Sequence, residues 1–291
     1  MASYTFLGGF MKKTFQVIGI ITLLFGSFLY TEEVATTSKL SDDLLNEIKT
    51  KADSYKVEPK EAIIKNGTIV PGVNGKKVDI KKSYDNMRQI GYFNEKLLIY
   101  KRIMVKNNLE ENKDKYIVSG NQSKKEISIL FKVNQNMDLN NIVYILNKEK
   151  VKGTFFINSS FLENNHNYVI RLIEDGHTVG NLSNNLDYSD SDFVWMKTIL
   201  TSSLQKHNYC YTEKADDEVI DICSLQNSYT VMPRLVVKNR LFTMVKNNLS
   251  PGLIVVININ NNTVSELEYM IDYVKSKGYE IKPLEKLLFS E

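Results

Sequence analysis

The 291-residue chain is 43% hydrophobic and 24% charged, enough apolar material for one ordinary globular domain with appendages. Its 37 Lys and Arg against 34 Asp and Glu leave a net charge of +3, spread in short pairs such as Lys12-Lys13, Lys76-Lys77 and Lys81-Lys82. That excludes the concentrated basic stripe of a nucleic-acid partner, so no nucleic acid is expected, and the lysine pairs read as solvated faces.

The first informative segment is "MKKTFQVIGIITLLFGSFLYTEE", in which Met11, Lys12 and Lys13 precede an uncharged apolar run from Phe15 to Tyr30. A spanning helix needs about 20 apolar residues with a lower limit near 17, so the run reaches that length only with Thr14 and Thr31. Lysines before it and Glu32-Glu33 after it place the amino terminus inside and the remainder outside. A cleavable signal would end in a small-x-small site. Since "EEVAT" puts Glu33 where a small residue is wanted, an uncleaved anchor is favoured over a cleaved signal, with Met11 the more natural start. The expected location is the cell membrane, single-pass, with the main domain extracytoplasmic. There, one disulfide between Cys210 and Cys223 is permitted and not required. Two cysteines at that spacing make neither a zinc ribbon nor a CxxC redox motif.

From Glu32 to about Lys60 the chain is polar, with Leu40, Leu44, Leu45 and Ile48 at helical spacing after a cap at Ser41, which reads as a stalk helix or linker. Residues 61–122 change character. Short apolar runs, Thr68 to Val70 and Leu97 to Tyr100, are punctuated by the turn dipeptides Asn66-Gly67, Pro71-Gly72 and Asn74-Gly75. A small β-rich module with one helix near Lys81 to Ile90 is expected.

From residue 123 strand and helix alternate. "EISILFKV" and "VKGTFFINS" are strands flanking the amphipathic "DLNNIVYILNKEK". The helix "NYVIRLIEDG" ends at Gly176, ahead of the short strand "HTVGNLS". The helix "DFVWMKTILTSSLQKHN", the strand "YCYT", the helix "DDEVIDICSLQN" and the strand "YTVMPRLVV" follow. After "RLFTMVKNNL" come the strong strand "GLIVVINI", the helix "SELEYMIDYVKSKG" and "YEIKPLEKLL". Such alternation argues for an α/β fold with a parallel sheet or barrel. The uninterrupted apolar run "GLIVVINI" suits a parallel strand covered on both faces.

Taken in order, "ISILFKVNQN", "VKGTFFINSSFLENN", "VIRLIEDGHTVGNLSNN", "PGLIVVINI" and "KGYEIKPLEKLL" resemble the NodB-like polysaccharide deacetylases, carbohydrate esterases that remove acetyl groups from N-acetylated sugars. The resemblance runs from about Lys124 to Leu288. It implies a distorted (β/α) barrel over residues 123–291, following a tail and transmembrane helix (1–31), a stalk (32–60) and the small module (61–122). It also implies a site at the carboxyl ends of the strands.

Members of that family hold a divalent metal such as zinc with one Asp and two His, use a neighbouring Asp as base and a late His as acid. The family's paired Asp close the first strand; here Lys132 takes the place of the base and Val133 that of the metal ligand. Gly176, His177, Gly180 and Asn181 match the frame of the second motif, so His177 corresponds to a framing histidine. The two ligand imidazoles are replaced by Leu182 and Leu186. Tyr209 falls near the place of an Arg, and Asn258 stands where the acid His would end the last core strand. No metal or other cofactor is expected, since leucine and valine offer no donor.

The remaining candidates have plainer readings. Asp187, Asp190 and Asp192 precede a helix and read as caps rather than as a substitute metal site. His166 lies in a polar loop and His207 closes a helix. Trp195 belongs to the core face of an amphipathic helix, whereas Tyr188, Tyr209 and Tyr211 are candidate glycan contacts. Because fold and chemistry are separable, the leading expectation is an inactive deacetylase-like protein with a glycan-binding or scaffolding role at the cell envelope, its partner a cell-wall glycan or envelope protein. A divergent carbohydrate deacetylase with relocated residues, and a regulatory partner of an active deacetylase, stay open.

Overall fold

The computed structural model describes residues 17–28, 43–133, 137–183, 188, 191–202 and 205–289. Residues 17–28 are helical, and among the described residues no helix is long and apolar enough to cross a membrane. The expected span from Phe15 to Tyr30 includes positions outside the described residues. So do much of the expected stalk, and Leu186, Asp187 and Asp190.

A helix over residues 43–52 (α1) precedes strands β1 (Ile63–Lys65), β2 (Thr68–Val70) and β3 (Gly75–Val78). Helix α2 (Ile80–Met87), β4 (Tyr100–Ile103) and β5 (Tyr116–Ile117) follow. Strand and helix then alternate through β6 (Glu126–Lys132), α3 (Asn140–Lys148), β7 (Thr154–Ile157), α4 (Ser159–Asn164), α5 (His166–Glu174) and β8 (Thr178–Asn181). Next come α6 (Ser191–Ser202), β9 (Asn208–Tyr211), α7 (Asp217–Leu225), β10 (Ser228–Val231), β11 (Leu235–Val237) and α8 (Leu241–Asn248). The chain closes with β12 (Ile254–Asn258), α9 (Asn261–Ser265), α10 (Leu267–Ser276), β13 (Glu280–Ile281) and α11 (Leu284–Phe289).

Two compact units result. Of the described residues, those up to Glu58 with Gly75–Ile103 form one, and Pro59–Asn74 with those from Met104 onward the other. In the first, Leu44 and Ile48 lie one turn apart on α1 and pack with Val78, Met87 and Leu98 into a small core. Within the segment expected as a stalk, residues 43–52 are thus packed through the apolar face of α1. Asp79 caps α2 by accepting the Lys82 N–H, and the Ser83 hydroxyl accepts the Ile99 N–H at 2.9 Å, tying α2 to the chain entering β4.

The second unit is built on an 11-stranded sheet ordered β1-β2-β5-β10-β9-β8-β7-β6-β12-β11, with β13 added beside β6. Every pairing along it is parallel except β1 with β2. The sheet is a curled half-barrel, and its two-residue side-chain period divides the strands between two cores. Ile127, Ile129, Phe131, Val255 and Ile257 pack outward in one cluster with residues of helices α3, α5, α8 and α10. Leu130, Tyr209, Tyr211, Ile254 and Val256 fill the concave interior, together with Leu284, Leu287 and Leu288 of α11.

The boundary expected at residue 122 lies elsewhere. Segments assigned to the small module supply β1, β2 and β5 to the large sheet, where Ile69 and Ile117 are buried in the interior cluster. Strands of two or three residues carry too little pattern to show which distant sheet they join.

Candidate functional site

The carboxyl ends of β6, β7, β8, β9 and β12 meet at the mouth of the half-barrel. Lys132 and Asn258 stand side by side in register there, on β6 and β12. Across the mouth the Lys132 Nζ lies 2.9 Å from Glu213 Oε1 and 5.5 Å from the centre of the Tyr211 ring. The Tyr211 hydroxyl donates to the same Glu213 oxygen at 3.2 Å. Lys132 holds the Glu213 carboxyl below the usual carboxylate range, while burial pushes the Tyr211 hydroxyl up, so carboxylate, ammonium and neutral phenol coexist at neutral pH. Glu213 was not a sequence candidate; an acid two residues beyond a short strand carries no local sign of a partner 81 positions away.

Val133 is fully buried in the outward cluster, and its N–H donates to Phe156 C=O. Leu182 is 5% exposed and packs in the interior cluster with Phe156 and Tyr211. Two positions at which the resemblance implies metal ligands are therefore spent on apolar packing, on opposite faces of the sheet. A metal does not fit these residues: the Lys132 Nζ is engaged by Glu213, and Val133, Leu182 and Leu186 have no donor atom. Among the described residues no group of three or more His, Cys, Asp or Glu side chains could hold a metal ion. The Asn258 carbonyl accepts from the Thr263 hydroxyl at 2.9 Å, so this strand end serves to start α9.

The framing residues have structural work. Gly176 ends α5 at φ +88°, a left-handed position that favours glycine. His177 is 4% exposed, and its Nδ1 accepts the Gly153 N–H at 3.0 Å, joining the starts of β7 and β8. The neutral ring thus carries its proton on Nε2. Burial, reinforced by Lys152, holds the imidazole down to about 4. At Gly180 a Cβ would stand 2.4 Å from an atom of the Phe156 ring, so only glycine lets that ring lie against β8. Asn181 Oδ1 accepts the Ser183 N–H at 2.7 Å, turning the chain as it leaves the strand.

The three tyrosines expected to contact glycan are all buried: Tyr188 to 2%, Tyr209 to 1% and Tyr211 to 1% exposed. The Tyr188 hydroxyl accepts the Tyr211 N–H at 3.0 Å and lies 2.9 Å from the Asn181 carbonyl, bridging β8 and β9 where their ladder ends. Its ring meets Phe193 edge-on at 5.4 Å. Tyr209 fills the interior and donates to Glu285 Oε2 at 2.6 Å, at the amino end of the strands, so it does not rim the mouth. His207, also at that end, stacks on Phe289 at 3.9 Å with its Nδ1 2.7 Å from Glu285. His166 begins α5 and is exposed, as its polar surroundings suggest. Trp195 is the opposite case. Helix α6 buries Phe193, Met196 and Leu200, a spacing that leaves Trp195 on the flank of the apolar face and 41% exposed. Cys210 and Cys223 form a disulfide between β9 and α7, inside a small cluster with Tyr188, Phe193 and Val219.

Comparison with known proteins agrees with this geometry. The polysaccharide deacetylase family profile matches residues 119–247. YlxY, an uncharacterized protein of Bacillus subtilis (strain 168), is 29% identical over 281 residues, spanning 88% of this chain and 87% of its own. The crystal structure of wild-type BA3943 from Bacillus anthracis, described as a CE4 family pseudoenzyme, superposes with a TM-score of 0.63 at 25% identity, covering 84% of this chain and 95% of that one. A BA3943 mutant with restored enzymatic activity gives the same TM-score and identity. PdaA of Bacillus subtilis, a family 4 carbohydrate esterase, shares the fold at a TM-score of 0.53 and 19% identity over 60% of this chain and 85% of its own. Residues 119–247 therefore match a polysaccharide deacetylase domain, and the likeness to the BA3943 pseudoenzyme supports a degenerate NodB-like site within it.

Proposed function

We propose that this protein is anchored in the cell membrane by the apolar segment from Phe15 to Tyr30 and holds a deacetylase fold outside the cytoplasm as a glycan-binding or scaffolding domain without hydrolysis. The observation that carries the reading is the occupation of the mouth. A Lys132–Glu213 ion pair stands where a base and metal would act, and Val133 and Leu182 are packed into apolar clusters. An ammonium there repels a divalent cation, and a carboxylate engaged by both Lys132 and Tyr211 is a poor base for activating water. The Cys210–Cys223 disulfide supports an oxidising compartment. The likeness to BA3943, a pseudoenzyme, supports loss of catalysis on this fold.

The glycan would be held by exposed side chains rather than by Tyr188, Tyr209 or Tyr211. Incubating the purified full chain with peptidoglycan, then measuring both sedimentation with the polymer and acetate in the supernatant, tests the proposal. Retention without acetate is expected. Absence of retention removes the glycan-binding role, and stoichiometric metal with acetate release replaces it with a divergent hydrolase.

A further inference from the structure

Helix α10 is buried along one side and divides the rest of its surface in two. Toward α3 its charges are matched, Glu268 with Lys148 at 2.6 Å and Lys275 with Glu149 at 2.7 Å. The other side carries Tyr269, Tyr273 and Lys277, spaced four residues apart and so on one stripe of the helix. Helix α8 runs beside that stripe. Its Phe242 ring meets Tyr273 edge-on at 5.4 Å, the Phe242 N–H donates to Glu266 Oε2 at 2.8 Å, and Lys246 stands one turn beyond Phe242. The Lys277 ammonium lies 5.4 Å from the centre of the Tyr273 ring. Phe242 and Tyr273 are half-buried, Lys246 and Lys277 are exposed, and Tyr269 is 70% exposed. Both helices are anchored in the outward cluster through Leu241, Val245, Met270 and Val274, so the pair presents a firmly held aromatic surface with a basic margin.

We propose that this stripe is the glycan-binding surface, and that its ligand is a carboxylate-bearing glycan such as peptidoglycan. The inference rests on the glycan-binding reading above and supplies the side chains that reading needs. An exposed phenol ring offers a flat apolar face and a polar edge, which matches a sugar ring with its C–H face and outward hydroxyls, and it loses little rotamer freedom when covered. Tyr269 supplies that face, with Tyr273 and Phe242 as the apolar floor beside it. Charge decides between glycans. The carboxylates of α10 are turned away, Glu268 to Lys148 and Asp272 to Glu149, and Glu266 is engaged by the Phe242 N–H. Lys246 and Lys277 therefore make the margin positive, which favours an acidic polymer over a neutral or cationic one.

The test sediments the full native chain and its variants with increasing amounts of peptidoglycan. Tyr269→Ala should weaken retention roughly tenfold. Tyr269→Phe should keep it, and urea unfolding should be unchanged in both because the ring lies on the surface. Lys246→Gln combined with Lys277→Gln should weaken retention about fivefold. Amidating the peptidoglycan carboxyls should reproduce that loss in the native chain and add nothing in the double variant. Tyr144→Ala, which removes a similarly exposed tyrosine (68%) from α3, should change nothing. Native-level retention of Tyr269→Ala, or an equal loss in Tyr144→Ala, overturns the stripe as the site. Release of the bound chain by soluble poly(glycerol phosphate) as readily as by soluble peptidoglycan fragments overturns the glycan as its ligand. No retention of the native chain overturns the glycan-binding reading and the inference with it.

Discussion

Acidification should unfold this protein through a residue outside the mouth. Buried His177 is neutral in the fold because desolvation holds its imidazole down to about 4 from the ordinary 6.5. The unfolded chain takes up a proton as pH drops below 6.5, whereas the folded chain does not until about 4. More protons bind the unfolded state within that window, so stability rises with pH there. The contribution is fully present above pH 6.5 and lost as pH falls toward 4. A difference of 2.5 units (6.5 less 4) corresponds to roughly 3 kcal/mol, a large share of the stability of an ordinary domain. Urea unfolding followed through Trp195 fluorescence at several pH values, for the native chain and for His177→Gln, isolates the term. The glutamine can still accept the Gly153 N–H and does not titrate. The native chain should lose about 3 kcal/mol more than the variant across the window. Parallel pH profiles for the two proteins would refute the assignment of a buried, neutral His177.

Three further changes report on the frame around the mouth. Gly180→Ala drives a methyl group into the Phe156 ring, which is 1% exposed and hemmed in by Tyr211 at 5.4 Å, so it should cost about 1–3 kcal/mol by thermal or urea unfolding. Replacing Cys210 and Cys223 together by Ala opens a loop spanning a separation of 13 residues and should lower stability by about 3 kcal/mol, with the native chain matching the variant only after reduction. Tyr188→Phe removes the acceptor for the Tyr211 N–H and the donor that faces the β8 end, for a loss of about 1–3 kcal/mol and faster amide exchange at Tyr211.

Much of the second unit was legible in its pattern. Apolar runs of strand length alternating with amphipathic helices define the parallel sheet from β6 to β12, and Gly176 marks the end of α5 as a left-handed cap must. What pattern could not convey was partnership. Nothing in "TIV" or "YI" says that β2 and β5 extend a sheet most of whose strands lie beyond residue 126. Alternation in "YCYT" shows that Tyr209 and Tyr211 share a face, yet the face is the interior of a curled sheet and not the rim of a cleft. That distinction depends on curvature, which local sequence does not encode. Lys132 was read from the sequence only as a lost base, and its pairing with Glu213 could not be read there, since an ion pair is a tertiary fact.

The proposed function is glycan binding on a fold that no longer hydrolyses. Its most direct test is acetate release, measured in the same sample as binding, from N-acetylated peptidoglycan incubated with the full chain and excess zinc. Glycan-bound protein with acetate no higher than in a protein-free control is expected. Zinc-dependent acetate production that rises in proportion to protein concentration would contradict it.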